Sequence, residues 1–346
     1  MRRLIHMFIY VVVALSLFTS CNHKELCYHH PHTVRMRVNA DWTDFSKKET
    51  PTGMTVMIYP NDGGESMRVL SNTITHAYCD LLVGSYNTIV FNQSAEEFGS
   101  VSFVGMDDFS TAEITTNVAR STWYESRAEK VALHPEWVGV DAQRNGIVSK
   151  QMLDATIDRL VASAYSRAAS EFVLASHTPQ NIIHTITVKV HLSGIYNLRS
   201  ARAALTGLAD AYSISRASTT AVHCTQLLES WSVTVDEADP TKGYITSKIS
   251  SLGLPEDFAG LAADNELLLS VLLVDNATVV DIPFTVGDKW KYKYDEQGNM
   301  LLEFELELEL WADSPLPDVE PVDYAGGGFD ATVDDWGDIQ HVDIGV

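Results

Sequence analysis

Apolar and polar residues alternate along much of the chain, most strictly in the segment LEFELELEL, residues 302–310. Successive side chains of a β-strand point to opposite faces, so this period of two predicts a strand with Leu and Phe in the core and Glu in water. A helix would spread the same residues around its whole surface. We interpret the glutamates as a solvated face, with a metal or acid–base role as the alternative.

Other segments with this pattern, or with many β-branched residues, predict further strands. They are residues 33–38, 54–59, 67–70, two short strands within 81–91, and 102–104, 182–192, 203–207, 231–235, 244–249, 266–274 and 279–286. Apolar residues at helical spacing predict one helix near 150–166. Because no strand–helix–strand rhythm appears, we predict an all-β fold of antiparallel sheets.

Two blocks of strands share a loose plan, which indicates two tandem β-sandwich domains. Each block begins with a His/Pro element, at 30–32 and 177–179, and continues into an alternating strand. We expect a signal peptide over 1–20, a first sandwich over 21–175 with a loop-rich insertion over 92–150, a second sandwich over 176–312, and an acidic C-terminal segment over 313–346. That last segment either lies along a sheet as a final strand or reaches to a partner.

The start of the chain is typical of a bacterial export signal. Arg2 and Arg3 precede an almost wholly apolar run, residues 4–18, which is shorter than the ~20 residues that span a bilayer. Phe18-Thr19-Ser20-Cys21 then resembles a lipobox, with Phe18 where the consensus has leucine. The resemblance implies cleavage before Cys21 and acylation of this residue, which would fix the chain to membrane lipid. The alternative is an ordinary secretory signal cut after Ser20.

The chain is strongly acidic. Its formal net charge of −22 becomes −24 when the leader, with two arginines and no acids, is removed. Such a chain repels phosphate backbones, so we predict no nucleic-acid partner. Hydrophobic residues make up 45% of the sequence, which is enough for packed cores and excludes a disordered chain.

Cysteines and histidines give no firm metal site. Without Cys21, the odd number of remaining cysteines and the lack of a CxxC motif predict neither a disulfide framework nor a zinc site. A Cys27–Cys79 bridge and unpaired thiols both stay open. The histidines near the start of the chain could bind Zn or Cu, or they could form a polar tether. The aspartates near the end could bind Ca²⁺, or they could form a solvated tail. These are His23, His29, His30 and His32, and Asp330, Asp334, Asp335 and Asp338.

We find no catalytic constellation. The chain contains no Gly-x-Ser-x-Gly and no glycine-rich phosphate loop, and we predict neither enzymatic activity nor a cofactor. Trp123, Tyr124 and Trp137 lie in the loop-rich section, where binding residues concentrate. They are candidate ligand-binding residues, with packing in the core and loops as the alternative.

Short motifs at both ends of the chain carry a family resemblance. They are Leu26-Cys27-Tyr28-His29-His30-Pro31-His32, Asp41-Trp42, Gly327-Gly328-Phe329 and Val333-Asp334-Asp335-Trp336. With the lipobox, they resemble a Bacteroidales lipoprotein family labelled as a domain of unknown function, which is similar to the fimbrillin and fimbrium-anchor (minor fimbrial subunit) superfamily. The resemblance implies transthyretin-like sandwiches at the outer membrane.

The same resemblance implies a role and partners. Subunits of that superfamily join by adding a strand to a neighbour's sheet. We see no arginine-directed processing site after the first strand, which favours an anchor that keeps its lipid. We therefore expect a surface lipoprotein that acts as an anchor or accessory subunit of a fimbria and contacts pilin-like subunits. The alternative is a surface module that binds a glycan or host ligand.

Overall fold

The computed structural model describes residues 32–45, 50–124, 129–162, 172–258, 265–292, 305–322 and 340–343. The fold of these residues is all-β, as the sequence predicts, and contains two β-sandwiches and one α-helix. No helix within these ranges is long and apolar enough to cross a membrane.

The strands of the first half are β1 (Val34–Ala40), β2 (Met54–Pro60), β3 (Met67–Ser71), β4 (His76–Leu81), β5 (Gly84–Asn92), β6 (Val101–Val104), β7 (Glu113–Thr116), β8 (Lys130–Ala132), β9 (Gly139–Val148), β10 (Phe172–His177) and β11 (Gln180–Asn181). Those of the second half are β12 (His184–Ser193), β13 (Leu198–Ala209), β14 (Ala211–Ser213), β15 (Ser218–Thr219), β16 (His223–Leu228), β17 (Ser232–Val235), β18 (Lys242–Ser251), β19 (Glu266–Leu273), β20 (Thr278–Thr285), β21 (Lys291–Tyr292), β22 (Glu305–Trp311) and β23 (Gln340–Asp343).

The first sandwich packs the sheet β10–β1–β4 against the sheet β11–β9–β5–β2–β3. Alternate residues of β1, among them Val34, Met36 and Val38, are buried in the core between the two sheets. The helix α1 (Lys150–Ala162) confirms the helix predicted near 150–166 over this range. Ser149 Oγ accepts a hydrogen bond from Met152 N–H at 3.3 Å, which caps the start of the helix.

The second sandwich packs the sheet β17–β18–β12–β22–β21 against the sheet β23–β20–β19–β13–β16–β8. Leu306, Leu308 and Leu310 of β22 are at most 1% exposed and contribute to its core. The strand predicted from the Leu–Glu alternation, with its leucines in the core, is therefore confirmed over Glu305–Trp311.

A third sheet, β15–β14–β7–β6, combines β6 and β7 from the first half of the chain with β14 and β15 from the second half. The section 92–150, which the sequence predicts to be loop-rich, contributes β6 and β7 to this sheet, β8 to the second sandwich and β9 to the first. Phe98, Ile114 and Ile183 belong to a further core that this arrangement buries. The section therefore connects the two sandwiches through packed strands.

Most strand pairs are antiparallel, but four pairs in the described residues are parallel. They are β1–β10, β8–β16, β12–β22 and β20–β23. In each pair a long stretch of chain separates the two strands, and such a connection is what parallel pairing requires. The sheets are thus mainly antiparallel, as predicted, with these four parallel pairs in addition.

Candidate functional site

The open edges of the sheets are the places where this chain can add a strand from another chain, because only an edge strand has unpaired backbone groups. In the second sandwich, one sheet ends at β17 and β21 and the other ends at β23 and β8. These edges differ in how well they are protected.

The edge at β17 is exposed and uncharged. All four of its residues, Ser232–Val235, are exposed, and the strand pairs with β18. Val233 lies opposite Ile245, which is fully buried, so Val233 and Val235 lie on the core side of the sheet. They are nevertheless 49% and 48% exposed. β17 contains neither a charged residue nor a proline, the usual devices that blunt an edge. We call Ser232–Val235 the β17 edge.

A glycine holds β17 close to its neighbour. A Cβ atom added at Gly243 would lie 2.3 Å from the carbonyl oxygen of Thr234 and 2.7 Å from Cδ1 of Ile195. Glycine therefore permits the close approach of the two backbones at this point. The turn after β17 is closed by an ion pair of 3.0 Å between Lys242 Nζ and Asp239 Oδ2.

At one edge of the facing sheet, β23 covers part of β20. β23 pairs in parallel with residues Thr278–Asp281 of β20. The rest of β20 contains Pro283, which has no N–H to offer to a further strand. Residues 340–343 thus lie along a sheet, which is the first of the two alternatives predicted for the acidic C-terminal segment.

Two edge strands of the first sandwich, β3 and β4, carry charges. Arg68 of β3 forms an ion pair with Glu96, and β4 contains the exposed Asp80. Charged side chains on an edge strand disfavour the addition of another strand. The β17 edge differs from both strands in this respect.

Of the predicted ligand-binding residues, Trp123 and Tyr124 lie together. Their ring centroids are 5.6 Å apart in an edge-to-face arrangement. The indole N–H of Trp123 donates to Glu229 Oε1 at 2.9 Å, and Arg202 Cζ lies 4.4 Å from the centroid of its ring. Both the polar atom of Trp123 and a face of its ring are therefore already engaged within the protein.

Trp137 occupies a different place, just before β9. Its side chain is half-buried, and its carbonyl oxygen accepts a hydrogen bond of 3.3 Å from the side-chain amide of Asn92. Asn92 Oδ1 also accepts from the backbone N–H of Gly139 at 2.8 Å. These contacts tie Trp137 to the first sandwich, whereas Trp123 contacts β13 and the end of β16 in the second.

Cys21 lies outside the described residues, as do Cys27 and the predicted histidine and aspartate clusters except His32. Cys79 and Cys224 are buried free thiols, and Cys79 Sγ lies 3.8 Å from the carbonyl oxygen of Met36. Burial raises the pKa of Cys79 to about 12 and also raises the pKa of Cys224. Within the described ranges, no group of three or more His, Cys, Asp or Glu residues is placed to hold a metal ion.

One arrangement resembles the triad of a hydrolase. His177 Nδ1 lies 2.9 Å from Asp141 Oδ2, and its Nε2 lies 2.9 Å from Thr88 Oγ1. An acid, an imidazole and a hydroxyl in this order can activate a nucleophile. However, the side chain of His177 is 0% exposed and Thr88 is 1% exposed. The cluster is therefore sealed from a substrate and serves to join the two sheets of the first sandwich.

Trp311, a residue that the sequence reasoning did not select, is 59% exposed on β22. Its ring stacks on that of His191 with centroids 4.9 Å apart and planes within 3° of parallel. The signal that could have found it is the alternation itself. Trp311 follows Glu309 by two positions and so falls on the solvent face of the strand.

Several solved structures are similar to this chain, whereas no curated protein matches it. A candidate adhesin from Bacteroides ovatus ATCC 8483 is 15% identical, with a TM-score of 0.54, and the match covers 87% of this chain and 99% of that chain. The fimbrial anchor protein Mfa2 from Porphyromonas gingivalis is 9% identical, with a TM-score of 0.41 and coverage of 81% and 90%. The tip fimbrial protein Mfa3 from the same organism, with a C-terminal truncation, is 10% identical, with a TM-score of 0.33 and coverage of 76% and 83%.

The first of these similarities shows a shared fold, because it extends over nearly all of both chains. A family model matches residues 20–229, which is more than half of the sequence. The chain belongs to this family, which is described as a domain of unknown function, DUF5119.

Proposed function

We propose that this protein is an anchor or accessory subunit of a surface fimbria, tethered to the outer membrane through acylated Cys21, and that it takes up a strand of a partner subunit at the β17 edge. The observation that carries the proposal is the exposed, uncharged edge strand Ser232–Val235. The sequence resemblance to fimbrium anchors supports it, and the candidate adhesin with the same fold agrees with a surface role.

The β17 edge offers what strand addition requires. The unpaired backbone groups of an edge strand supply hydrogen bonds to an added strand, and side chains next to it supply specificity. Val233 and Val235 provide two apolar side chains on one face, against which alternate side chains of a partner strand can pack. Asp236 and Glu237 follow directly, so we expect the partner strand to carry basic residues next to its apolar ones.

The lipid tether would keep the first sandwich near the membrane. Cys21 precedes Val34, the first residue of β1, by 13 positions. A chain of that length spans at most about 45 Å when fully extended. The proposed anchor therefore holds its first sandwich close to the lipid surface while a partner binds the second.

The test is recovery of partner proteins from envelope extracts with the lipidated protein. We would compare the wild type with the double variant Val233→Lys, Val235→Lys, which adds two charges to the β17 edge. Leu70→Lys is the matched control, because Leu70 is 57% exposed on β3, another edge strand. Thermal unfolding of each variant would show that the fold is kept.

We expect the wild type and Leu70→Lys to recover a pilin-like subunit and the double variant to lose it. Equal recovery by all three proteins would refute the β17 edge as the docking strand. Failure of the wild type to recover any pilin-like subunit would refute the fimbrial role itself.

A further inference from the structure

The outer face of the sheet β17–β18–β12–β22–β21 carries a row of aromatic side chains that the proposed assembly role does not use. Tyr244, His191 and Trp311 lie opposite one another on β18, β12 and β22. The ring centroids of His191 and Tyr244 are 5.7 Å apart, and those of His191 and Trp311 are 4.9 Å apart. Because the His191 ring covers one face of the indole, the 59% exposure of Trp311 leaves its other face to solvent.

Polar contacts hold this row in place. Glu309 Oε1 lies 2.9 Å from His191 Nε2 and 3.1 Å from Lys189 Nζ. The same ammonium group lies 4.3 Å from the centroid of the Tyr244 ring, in a cation–π contact. The imidazole that supports the indole is therefore fixed by its own hydrogen bond. Because the indole of Trp311 stacks on this fixed imidazole, the indole loses little conformational entropy when a ligand binds to it.

Trp311 lies beyond the part of β22 that pairs with β21. β21 pairs with β22 only at Leu306 and Glu307, so no strand of the described residues flanks β22 at Trp311. The backbone N–H of Ala312 donates to the carbonyl oxygen of His191 at 3.1 Å, which keeps the end of β22 against β12. The open face of the indole thus lies at a fixed, accessible end of the sheet.

This face is electrically balanced, unlike the rest of the chain. By strand register it carries four lysines and three glutamates, and a further carboxylate pairs with one of the lysines. They are Lys189, Lys242, Lys248 and Lys291, with Glu305, Glu307 and Glu309, and Asp239 as the partner of Lys242. The formal charges of this set cancel, whereas the whole chain carries −22. An acidic ligand would be repelled by the chain as a whole, and a neutral ligand would not.

We propose that this face binds a neutral glycan, with a pyranose ring stacked on Trp311 and its hydroxyl groups hydrogen-bonded to Glu309 and Lys189. A pyranose ring presents C–H groups on its face, which pack against the indole, and hydroxyl groups at its rim. Glu309 accepts both of its hydrogen bonds at Oε1, so Oε2 remains an acceptor for a ligand hydroxyl. A short aromatic row among charged side chains is a poor match for a protein partner, whose interface needs an apolar centre.

The test is affinity electrophoresis of the full mature chain in native gels that contain one neutral polysaccharide each: mannan, glucomannan, starch or mixed-linkage β-glucan. Polygalacturonate serves as the anionic comparison. We expect at least one neutral polymer to retard the protein. The loss of ring stacking in Trp311→Ala should weaken that binding about tenfold or more, and Glu309→Gln should weaken it less. Trp123→Phe should bind like the wild type, because the ring of Trp123 is already engaged.

Three results would overturn the proposal: no retardation by any of the four neutral polymers, equal retardation of Trp311→Ala and the wild type, or retardation by polygalacturonate alone. Self-association that disappears in Trp311→Ala, with no glycan binding, would assign the face to a second copy instead. The variant Val233→Lys, Val235→Lys should keep glycan binding. The two proposals can therefore fail independently.

Discussion

Asp141 Oδ2 lies 2.9 Å from His177 Nδ1, and this contact connects β9 of one sheet with the end of β10 in the facing sheet of the first sandwich. The same carboxylate oxygen accepts from the backbone N–H of Thr178 at 3.2 Å and from the side-chain amide of Gln143 at 3.1 Å. A single carboxylate thus ties the two sheets where His177 is completely enclosed. This tie has measurable consequences for stability.

We expect Asp141→Asn to lower the free energy of unfolding by about 1–3 kcal/mol, because a charge-assisted hydrogen bond to a buried imidazole is lost. Urea unfolding followed by tryptophan fluorescence measures this change. Gln143→Ala is the control: Gln143 is exposed, and its removal should change the stability by less than about 0.5 kcal/mol. Equal losses in the two variants would contradict a specific role for Asp141.

The same carboxylate makes stability depend on pH. Burial acts to raise the pKa of Asp141, but the hydrogen bonds from His177, Gln143 and Thr178 outweigh it and lower the pKa below its usual value. A carboxyl group whose pKa is lower in the folded state stabilises the fold above its unfolded pKa, which is about 3.9. That contribution is lost as the pH falls through the folded pKa.

We therefore expect the free energy of unfolding of the wild type to fall more steeply than that of Asp141→Asn below about pH 4. Urea titrations between about pH 6 and pH 2 would measure both curves. Parallel curves would show that this carboxylate does not contribute to the acid sensitivity of the protein.

Both buried thiols should be unreactive in the folded protein. Because burial raises the pKa of Cys79 to about 12 and also raises that of Cys224, both remain protonated at neutral pH, and the thiolate is the reactive form. We expect neither to react with a soluble maleimide under native conditions and both to react in urea. Peptide mapping by mass spectrometry identifies the modified residue. Rapid native labelling of Cys79 or Cys224 would contradict the burial described here.

The close approach of β17 and β18 should depend on Gly243. A methyl group there would collide with the carbonyl oxygen of Thr234, so we expect Gly243→Ala to cost about 1–3 kcal/mol and to speed hydrogen exchange in β17. Gly84→Ala is the matched control, because a Cβ atom at Gly84 makes only ordinary contacts of 3.5 Å or more. Unchanged exchange of the β17 amides in Gly243→Ala would show that the two strands do not depend on this glycine.

Lipid attachment at Cys21 has a direct test. We expect the wild type to incorporate a radiolabelled or alkyne-tagged palmitate and to fractionate with the outer membrane, and Cys21→Ala to do neither. Cys224→Ala, which removes a buried thiol elsewhere, should still be labelled. An unlabelled wild type, with Cys21→Ala behaving identically, would refute the lipoprotein assignment.

Much of the fold follows from local patterns, but the strand structure in the middle of the chain does not. β2, β3, β12 and β22 lie close to their predicted ranges because their side chains alternate or are rich in β-branched residues. β9 was missed: its sequence, GVDAQRNGIV, is polar in its centre, where the strand is exposed. Its strand structure depends on pairing with β5 and β11, which no local pattern reveals.

The candidate sites show the same limit. The sequence indicates that Trp123 and Trp137 lie in the loop-rich section. Whether either ring can bind a ligand depends on which side chains pack against it in the folded protein. Arg202 and Glu229, which engage Trp123, are distant in sequence. Trp311 is the better candidate for ligand binding because it is 59% exposed. The alternation of side chains along β22 places it on the solvent face.

The sequence by itself determined that the leucines of β22 are buried and its glutamates lie on the opposite face, because alternation is a property of a single strand. It also indicated α1 and the all-β class. Only the tertiary structure decided that β22 lies parallel to β12, that β23 pairs with β20 at the end of one sheet and that β17 ends another. Every strand presents the same backbone donors and acceptors, so the choice of partner depends on how distant segments pack together.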